Sequence, residues 1–310
     1  VFSIVPVGRS SFFNLCVCTV VKAYINIVAE KSTLRKLIKA AQEIAQECYS
    51  QQNPLQETLK AKLSRHKGVH PSQIFLGNGS DEAIDLVYRI FCEPNTDNVV
   101  AISPTYGMYE VCADINAVEY RKVPLNANYQ LDAQKLLAAT DCHTKVIWIC
   151  SPNNPTGNDL DPDAIKQVLT EFDGIVVIDE AYIEFAGEPT DSMRFVKEGR
   201  NIAVLRTFSK AYGLAGARCG YAITTRVIAD LLNKARSPFN VNLFAQVGAL
   251  AALDDHEHIV HSVAMVNRGR RQYEAFFESK GLEYVPSHTN FILVDVGDGV
   301  DVFRKALAKG

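Results

Sequence analysis

Four polar clusters in this chain of 310 residues each follow a short apolar run, and they contain residue types that do chemistry. The apolar runs are residues 99–102, 146–149, 175–178 and 202–205, and the polar clusters are residues 103–107, 150–157, 179–182 and 206–210. Runs that are apolar throughout are typical of strands buried on both faces of a mostly parallel, helix-covered sheet. Because functional groups in such sheets lie at the carboxyl ends of the strands, we expect the clusters to form one site.

Two charged residues of these clusters are candidates for catalysis. Lys210 follows an apolar run and precedes a glycine-rich turn. Most lysines are solvated, but a lysine in such a place can lose its proton and form a Schiff base. Asp179 directly follows four apolar residues, so its carboxylate is expected to be partly buried beside a cation. Taken alone, Lys210 also fits a surface lysine, and Asp179 also fits a helix cap or a structural ion pair.

The segment at residues 77–82 has the features of a phosphate site. Its glycines allow close approach of the backbone, and a helix expected to open at Ser80 would present unpaired N–H groups. The segment lacks the lysine of a nucleotide P-loop and is not a G-x-G-x-x-G motif, so a plain strand–turn–helix remains an alternative. Arg218, eight residues after Lys210, could contact phosphate through two nitrogens or form a salt bridge in the sheet.

One cofactor would use all of these groups together. Pyridoxal phosphate requires a lysine for an imine and a carboxylate for its ring nitrogen. It also requires a phosphate cradle and an aromatic ring on which to stack. The candidate groups together meet all four requirements, and this agreement is stronger evidence for the cofactor than any single group.

The elements that position these groups are predicted from hydrophobic periodicity. Helices are expected over residues 54–65, from residue 80 onward, over 227–236 and over 242–280, and further strands over 74–76, 219–223 and 290–296. The change from strand-rich to helix-rich sequence near Arg236 predicts a domain boundary. We therefore expect a large domain at residues 50–235, and a smaller one from residues 1–49 and 236–310. Residues 300–310 resemble an unfinished helix, which predicts a fragment of a longer chain.

Composition narrows the classes of partner. With 32 basic and 35 acidic side chains the formal charge is −3, which gives no electrostatic case for nucleic acid. The eight cysteines lack the paired spacing of a metal site, so no metal is expected. We expect them to be the reduced thiols of a cytoplasmic enzyme. The apolar stretch at residues 12–21 is too short to cross a membrane, although it resembles a short signal-peptide core.

The ordered motifs resemble those of fold-type-I, pyridoxal-phosphate-dependent aminotransferases. They are residues 77–82, 104–106, 153–157, 179–182, 209–210 and 216–220. More narrowly, the segments around Tyr106 and Lys210 resemble those of histidinol-phosphate aminotransferases. The resemblance covers residues 55–296. It implies an α/β protein with a large, mostly parallel sheet covered by helices and a smaller α/β domain.

The resemblance also implies a role for each motif residue. Lys210 would bind the cofactor as a Schiff base and then move the proton of the substrate's α-carbon. Asp179 would keep the pyridine nitrogen protonated, Tyr182 and Asn154 would bind the phenolic oxygen, and Tyr106 would stack on the ring. The phosphate end would use Gly79, Ser80 and Asp81 through the backbone, together with Thr207, Ser209 and Arg218.

Both ends depart from the family's pattern. The N-terminal turn that contacts substrate is not found before Ser32, and the family's carboxylate-binding arginine would lie beyond the last residue. The tyrosine that reaches the partner subunit's cofactor phosphate corresponds to Tyr49, whereas an alignment anchored on residues 53–56 puts Gln51 there. The resemblance implies a homodimer with active sites at the subunit interface.

The activity implied is transamination between L-histidinol phosphate and 2-oxoglutarate in histidine biosynthesis. Alternatives in the same subgroup are an aminotransferase of aromatic amino acids and a decarboxylase of a phosphorylated amino acid. A truncated product that binds the cofactor without activity is a further alternative. A nucleotide-binding α/β protein is the last, and it leaves Asp179 and Lys210 unexplained.

Overall fold

A computed structural model describes residues 55–186 and 192–308 of the chain. Tyr49, Gln51 and the predicted N-terminal part of the smaller domain lie outside these residues. Within the described helices, none is both long enough and apolar enough to cross a membrane.

One seven-stranded sheet forms the centre of the described structure. Its strands are β1 (Ile74–Gly77), β2 (Asn98–Ser103), β3 (Glu119–Pro124), β4 (Thr144–Cys150), β5 (Ile175–Asp179), β6 (Ile202–Thr207) and β7 (Gly220–Thr224). Their order across the sheet is β1-β7-β6-β5-β4-β2-β3. The pairs from β3 to β6 are parallel, and β7 runs antiparallel to both β6 and β1. The predicted mostly parallel sheet is therefore confirmed.

The apolar runs form strands because both of their faces are covered. In β2, Val99 and Ala101 belong to one buried apolar cluster and Val100 and Ile102 to the other. β4 and β5 alternate between the same two clusters, so each strand contributes side chains to both cores. Burial on both faces leaves polar residues a place only beyond the strand ends, where the predicted clusters lie.

Helices cover the sheet and continue beyond it. They are α1 (Leu55–Lys67), α2 (Ser80–Phe91), α3 (Met108–Ile115), α4 (Ala133–Ala138), α5 (Pro162–Glu171), α6 (Ile183–Ala186), α7 (Met193–Lys197), α8 (Arg226–Ala235), α9 (Leu243–Asp254), α10 (His256–Lys280) and α11 (Gly299–Leu307). The single helical pattern expected over residues 242–280 is divided, because the Asp255 side chain caps the first turn of α10 by accepting the His258 N–H. The predicted helix over 54–65 and the helix opening at Ser80 are confirmed as α1 and α2.

The strand expected over residues 290–296 is wrong. With the rest of the described chain, this segment pairs only in an isolated antiparallel bridge between Val294 and Tyr284. Its apolar side chains pack as separate contacts: Ile292 and Val294 lie against Phe277 of α10, and Phe291 lies against Tyr182. The apolar run is therefore buried by side-chain packing without the continuous backbone pairing that makes a strand.

Candidate active site

The predicted clusters meet in one pocket. It is lined by Ser80, Asp81, Tyr106, Cys150, Asn154, Asp179, Ala181, Tyr182, Thr207, Ser209, Lys210 and Arg218. The pocket lies where the parallel strands end, because Cys150 of β4 is opposite Asp179 of β5, and Asp179 is opposite Leu205 of β6. Of the residues predicted from the sequence, Gly79 lies just outside this lining as the N-cap of α2, and Tyr49 is not described.

Asp179 is the buried carboxylate at the centre of the pocket, with 3% of its surface exposed. Its Oδ2 accepts the Tyr109 hydroxyl at 2.9 Å, and its Oδ1 accepts the Ala181 N–H at 3.0 Å. Burial raises the pKa of Asp179 to about 6, although the Tyr109 and Ala181 hydrogen bonds act in the opposite direction. Burial therefore disfavours the ionised form of Asp179, and a cation beside the carboxylate would stabilise that form.

Lys210 projects into the same pocket from the turn after β6. Its Nζ lies 5.1 Å from the centroid of the Tyr182 ring. Among the residues that the structure describes, this amine makes no hydrogen bond or ion pair. A lysine amine directed at a ring and a pocket, without a carboxylate attached to it, is available for covalent chemistry.

Tyr182 and Asn154 stand together on the wall beside Lys210. The Asn154 side-chain amide donates to the Tyr182 hydroxyl at 3.4 Å. The Tyr182 ring packs edge-on against Phe291, with the ring centroids 5.2 Å apart. Phe291 thus fixes the tyrosine from the C-terminal side, a contact that the sequence motifs do not contain.

The other end of the pocket is an anion cradle. Gly79 has φ of 79°, in the left-handed region, and a Cβ there would lie 2.5 Å from Arg218 Nη2. A Cβ on Gly220 would lie 2.4 Å from the Ser80 nitrogen, so the absence of side chains lets β7 and the α2 N-terminus meet. The open N–H groups of α2 and the guanidinium of Arg218 therefore converge on one place.

The Asp81 side chain joins the two ends of the site. Its Oδ2 accepts Arg218 Nη2 at 2.9 Å, and its Oδ1 accepts the Tyr106 hydroxyl at 3.1 Å. Burial, followed by the charge of Asp81, raises the pKa of Tyr106, so this hydroxyl remains protonated. The sequence predicted only a backbone contact for Asp81, whereas its carboxylate also orients the arginine and the tyrosine.

Three residues at the site were missed by the sequence analysis: Tyr109, Cys150 and Ala181. Cys150 and Ala181 had a usable signal, because they lie in the polar clusters at residues 150–157 and 179–182 that were expected to form one site. Tyr109 had a weaker one, since it lies three residues after the predicted Tyr106, in the first turn of the helix that follows it. Tyr109 alone lies outside the predicted polar clusters.

Comparisons with known proteins agree with this geometry. The family model for aminotransferases of class I and II matches residues 23–309. A histidinol-phosphate aminotransferase of Bacteroides thetaiotaomicron is 48% identical over 260 residues, which cover 83% of this chain and 75% of the relative. One from Parabacteroides distasonis is 48% identical over 263 residues, with the same two coverages.

Solved structures show the same architecture. The histidinol-phosphate aminotransferase of Sinorhizobium meliloti in complex with pyridoxal-5'-phosphate superposes with a TM-score of 0.77 at 27% identity, over 87% of this chain and 74% of that chain. A putative histidinol-phosphate aminotransferase of Erwinia carotovora superposes with a TM-score of 0.76 at 28% identity, over 83% of this chain and 76% of the other.

Proposed function

This chain belongs to the class I and II aminotransferase family, and we propose that it transfers the amino group of L-histidinol phosphate to 2-oxoglutarate. The observation that carries the proposal is a single pocket that joins a lysine amine, a buried carboxylate and an anion cradle. The choice of amino donor is supported by the relatives that are 48% identical and are named histidinol-phosphate aminotransferases.

The pocket fits pyridoxal phosphate. The cofactor's phosphate matches the cradle at Gly79 and Arg218, where a Cβ on the glycine would lie 2.5 Å from the guanidinium. Its pyridine nitrogen matches Asp179, whose burial leaves the carboxylate in need of a cation.

When bound, pyridoxal phosphate supplies a carbonyl carbon that takes the substrate's amino group and a ring that accepts electrons. Lys210 Nζ would hold the cofactor covalently, and once the substrate's amino group has displaced it, the released amine would remove and return the proton of the substrate's reacting carbon. Asp179 would hold a proton on the pyridine nitrogen. The Tyr182 hydroxyl and the Asn154 amide orient the phenolic oxygen, and the Tyr106 ring covers one face.

The phosphate end binds and orients without moving protons. Ser80 and Asp81 offer backbone N–H groups, and Arg218 offers two guanidinium nitrogens. The Thr207 hydroxyl accepts the Ser209 N–H at 3.1 Å, which shapes the turn that precedes Lys210. These contacts fix the cofactor at its end farthest from the reaction, so that the ring meets Asp179 and Lys210 in one orientation.

The chain's assembly and organisation are part of the same proposal. We propose a homodimer, supported by the exposure of the phosphate end, where 45% of the Arg218 side chain is accessible. The division into a large domain at residues 50–235 and a smaller remainder is supported by the strands of the described residues, which all lie between residues 74 and 224. A cytoplasmic location is supported by the five described cysteines, which are all unpaired.

An absorbance spectrum of the purified chain tests the activity directly. We expect a band of lysine-linked cofactor when pyridoxal phosphate is added. Addition of L-histidinol phosphate alone should convert this band to the spectrum of the amine form. Addition of 2-oxoglutarate should then restore it with the release of glutamate.

Three other results would redirect the proposal. Conversion by L-phenylalanine but not by L-histidinol phosphate would assign an aminotransferase of aromatic amino acids. Release of carbon dioxide from a phosphorylated amino acid would assign a decarboxylase. A stable lysine-linked band that no amine converts would leave a protein that binds the cofactor without transferring amino groups.

A further inference from the structure

Tyr109 is a buried tyrosine that the proposed mechanism does not use. It lies in the first turn of α3, and none of its surface is exposed. Its hydroxyl donates to Asp179 Oδ2 at 2.9 Å, across 70 positions of sequence. The only other described donor to this carboxylate is the Ala181 N–H, which binds the opposite oxygen. Tyr109 therefore provides one of two hydrogen bonds to a carboxylate that is fully enclosed.

Aromatic packing holds this hydroxyl in place. The Tyr109 ring stacks on Trp148 with a centroid distance of 4.9 Å and an interplanar angle of 14°. Trp148 stacks in turn on Tyr88 at 5.4 Å and 19°. The Tyr88 hydroxyl donates to the Tyr109 carbonyl oxygen at 2.7 Å, so both the ring and the backbone of Tyr109 are held. Such a ring cannot rotate its hydroxyl away from Asp179 without breaking the stack.

The charges around Asp179 define what this hydrogen bond does. Lys210 stabilises the ionised carboxylate, Asp81 opposes it, and burial opposes it most strongly. Cys150 packs against the same group, and burial raises the pKa of its thiol, which leaves it neutral. Burial also raises the pKa of Tyr109, so its hydroxyl keeps its proton and donates throughout the working range. A fixed donor to the charged form favours that form.

We propose that Tyr109 is a positioning residue, which keeps Asp179 ionised and directs its carboxylate at the pyridine nitrogen of the bound cofactor. This inference rests on the proposed function, because it requires pyridoxal phosphate in the pocket. Asp179 and the pyridine nitrogen share one proton. The hydrogen bond from Tyr109 makes the carboxylate less basic and leaves the proton on nitrogen, where the ring accepts electrons most readily.

Tyr109→Phe removes the hydroxyl and keeps the stacked ring. The carboxylate then retains only the Ala181 N–H, so the shared proton moves from the pyridine nitrogen toward Asp179. We expect the ¹⁵N signal of pyridoxal phosphate labelled at its ring nitrogen to shift toward the unprotonated position at pH 7. We also expect kcat to fall by about tenfold or more, the range for losing a hydrogen bond to a charged group, with KM nearly unchanged.

Tyr88→Phe is the matched control. It removes a buried hydroxyl from the same stack, but that hydroxyl binds the Tyr109 backbone and not Asp179. A stability cost alone would affect both variants, whereas the ¹⁵N shift is expected only for Tyr109→Phe. A second test uses Asp179→Asn as background, in which Tyr109→Phe should change kcat by less than about twofold, because the two residues act through one contact.

The outcomes separate this inference from the proposed function. A wild-type chain that binds the cofactor and transfers amino groups, with identical ¹⁵N signals in wild type and Tyr109→Phe, overturns the role of Tyr109 alone. Equal shifts in Tyr109→Phe and Tyr88→Phe would assign the effect to the stack and overturn it as well. A wild-type chain that does not bind pyridoxal phosphate removes both proposals together.

Discussion

The two ends of the pocket hold charge in different ways. At the ring end, Asp179 is 3% exposed and depends on single contacts from Tyr109 and Ala181. At the phosphate end, the ion pair of Arg218 and Asp81 is open to solvent, with 45% and 35% of the side chains exposed. Burial strengthens each contact at the ring end, whereas water weakens the contacts at the phosphate end. Single substitutions are therefore expected to cost most at the ring end.

The largest effect is expected at Lys210. Lys210→Ala removes the covalent link and the proton carrier together, so kcat should fall by at least about 10⁴-fold. Borohydride reduction followed by mass spectrometry checks the link, since wild type should carry the cofactor on the peptide that contains residue 210. Lys166→Ala, on an exposed face of α5, is the control. A reduced adduct in Lys210→Ala on another lysine would refute the assignment.

The next effect is expected at Asp179. Asp179→Asn keeps the shape of the side chain but removes the charge opposite the pyridine nitrogen. We expect cofactor binding to persist and kcat to fall by about 10²- to 10³-fold, as for the loss of one preorganised electrostatic group. Steady-state kinetics with the exposed Asp163→Asn as control measure this difference. Near-normal turnover in Asp179→Asn would exclude Asp179 from the mechanism.

Asp179→Asn should lower kcat, but it should raise the stability of the cofactor-free chain. Burial raises the pKa of Asp179 to about 6, above its value in an unfolded chain. The contribution of Asp179 to stability is therefore greatest at pH values below its unfolded pKa, and it is lost as the pH rises through its folded pKa. Asp179→Asn should then raise the free energy of unfolding by up to about 3 kcal/mol at pH 8 and by little near pH 4. Denaturant unfolding at both pH values measures the change.

The adjacent carboxylate provides the contrast for that experiment. Glu180 is also buried, but its Oε2 lies 2.7 Å from Arg206 Nη2. Glu180→Gln removes a carboxylate that is ion-paired with this buried guanidinium, so the variant should be destabilised by about 3 kcal/mol at pH 8. If both variants changed the free energy of unfolding at pH 8 in the same direction, this would contradict the idea that, of these two carboxylates, only Asp179 lacks a stabilising cation when the cofactor is not bound.

The smallest effect is expected at the exposed end. Arg218→Gln removes one cationic contact, while the N–H groups of α2 remain. We expect the dissociation constant of pyridoxal phosphate to rise by about tenfold and to become less sensitive to salt. Titration by cofactor fluorescence measures it, with Arg226→Gln as a control on an exposed helix face, where 77% of the arginine side chain is accessible. A rise in this dissociation constant that exceeds the roughly 10²- to 10³-fold fall in kcat expected for Asp179→Asn would reverse the comparison of the two ends.

Residues at a strand end, or within a few positions after it, were predictable. Asp179, Asn154 and Lys210 come after runs that are apolar throughout, and a run of this kind is buried wherever it lies in a parallel sheet. The position of each residue along the chain thus also defines its position at the sheet edge. The family motifs added roles to residues that this local pattern had already brought together.

Contacts between distant elements were not predictable in the same way. The strand predicted over residues 290–296 was wrong because an apolar run does not specify its backbone partner. Among the described residues, this segment forms one isolated bridge, with Tyr284. The division between α9 and α10 did have a local signal, the cap at Asp255, which the long helical periodicity obscured. The Asp81 carboxylate was assigned no contact, since nothing near it in sequence indicates Arg218, 137 positions away.

The sequence by itself determined the sheet, the order of its polar clusters and most residues of the pocket, because burial and strand ends are local properties of the chain. Only the tertiary structure decided how those residues are held. The packing of α3 on the sheet brings the Tyr109 hydroxyl to Asp179, and the meeting of β7 with α2 brings Arg218 to Asp81. These contacts depend on strand register and helix packing, which join parts of the chain that have no local relation.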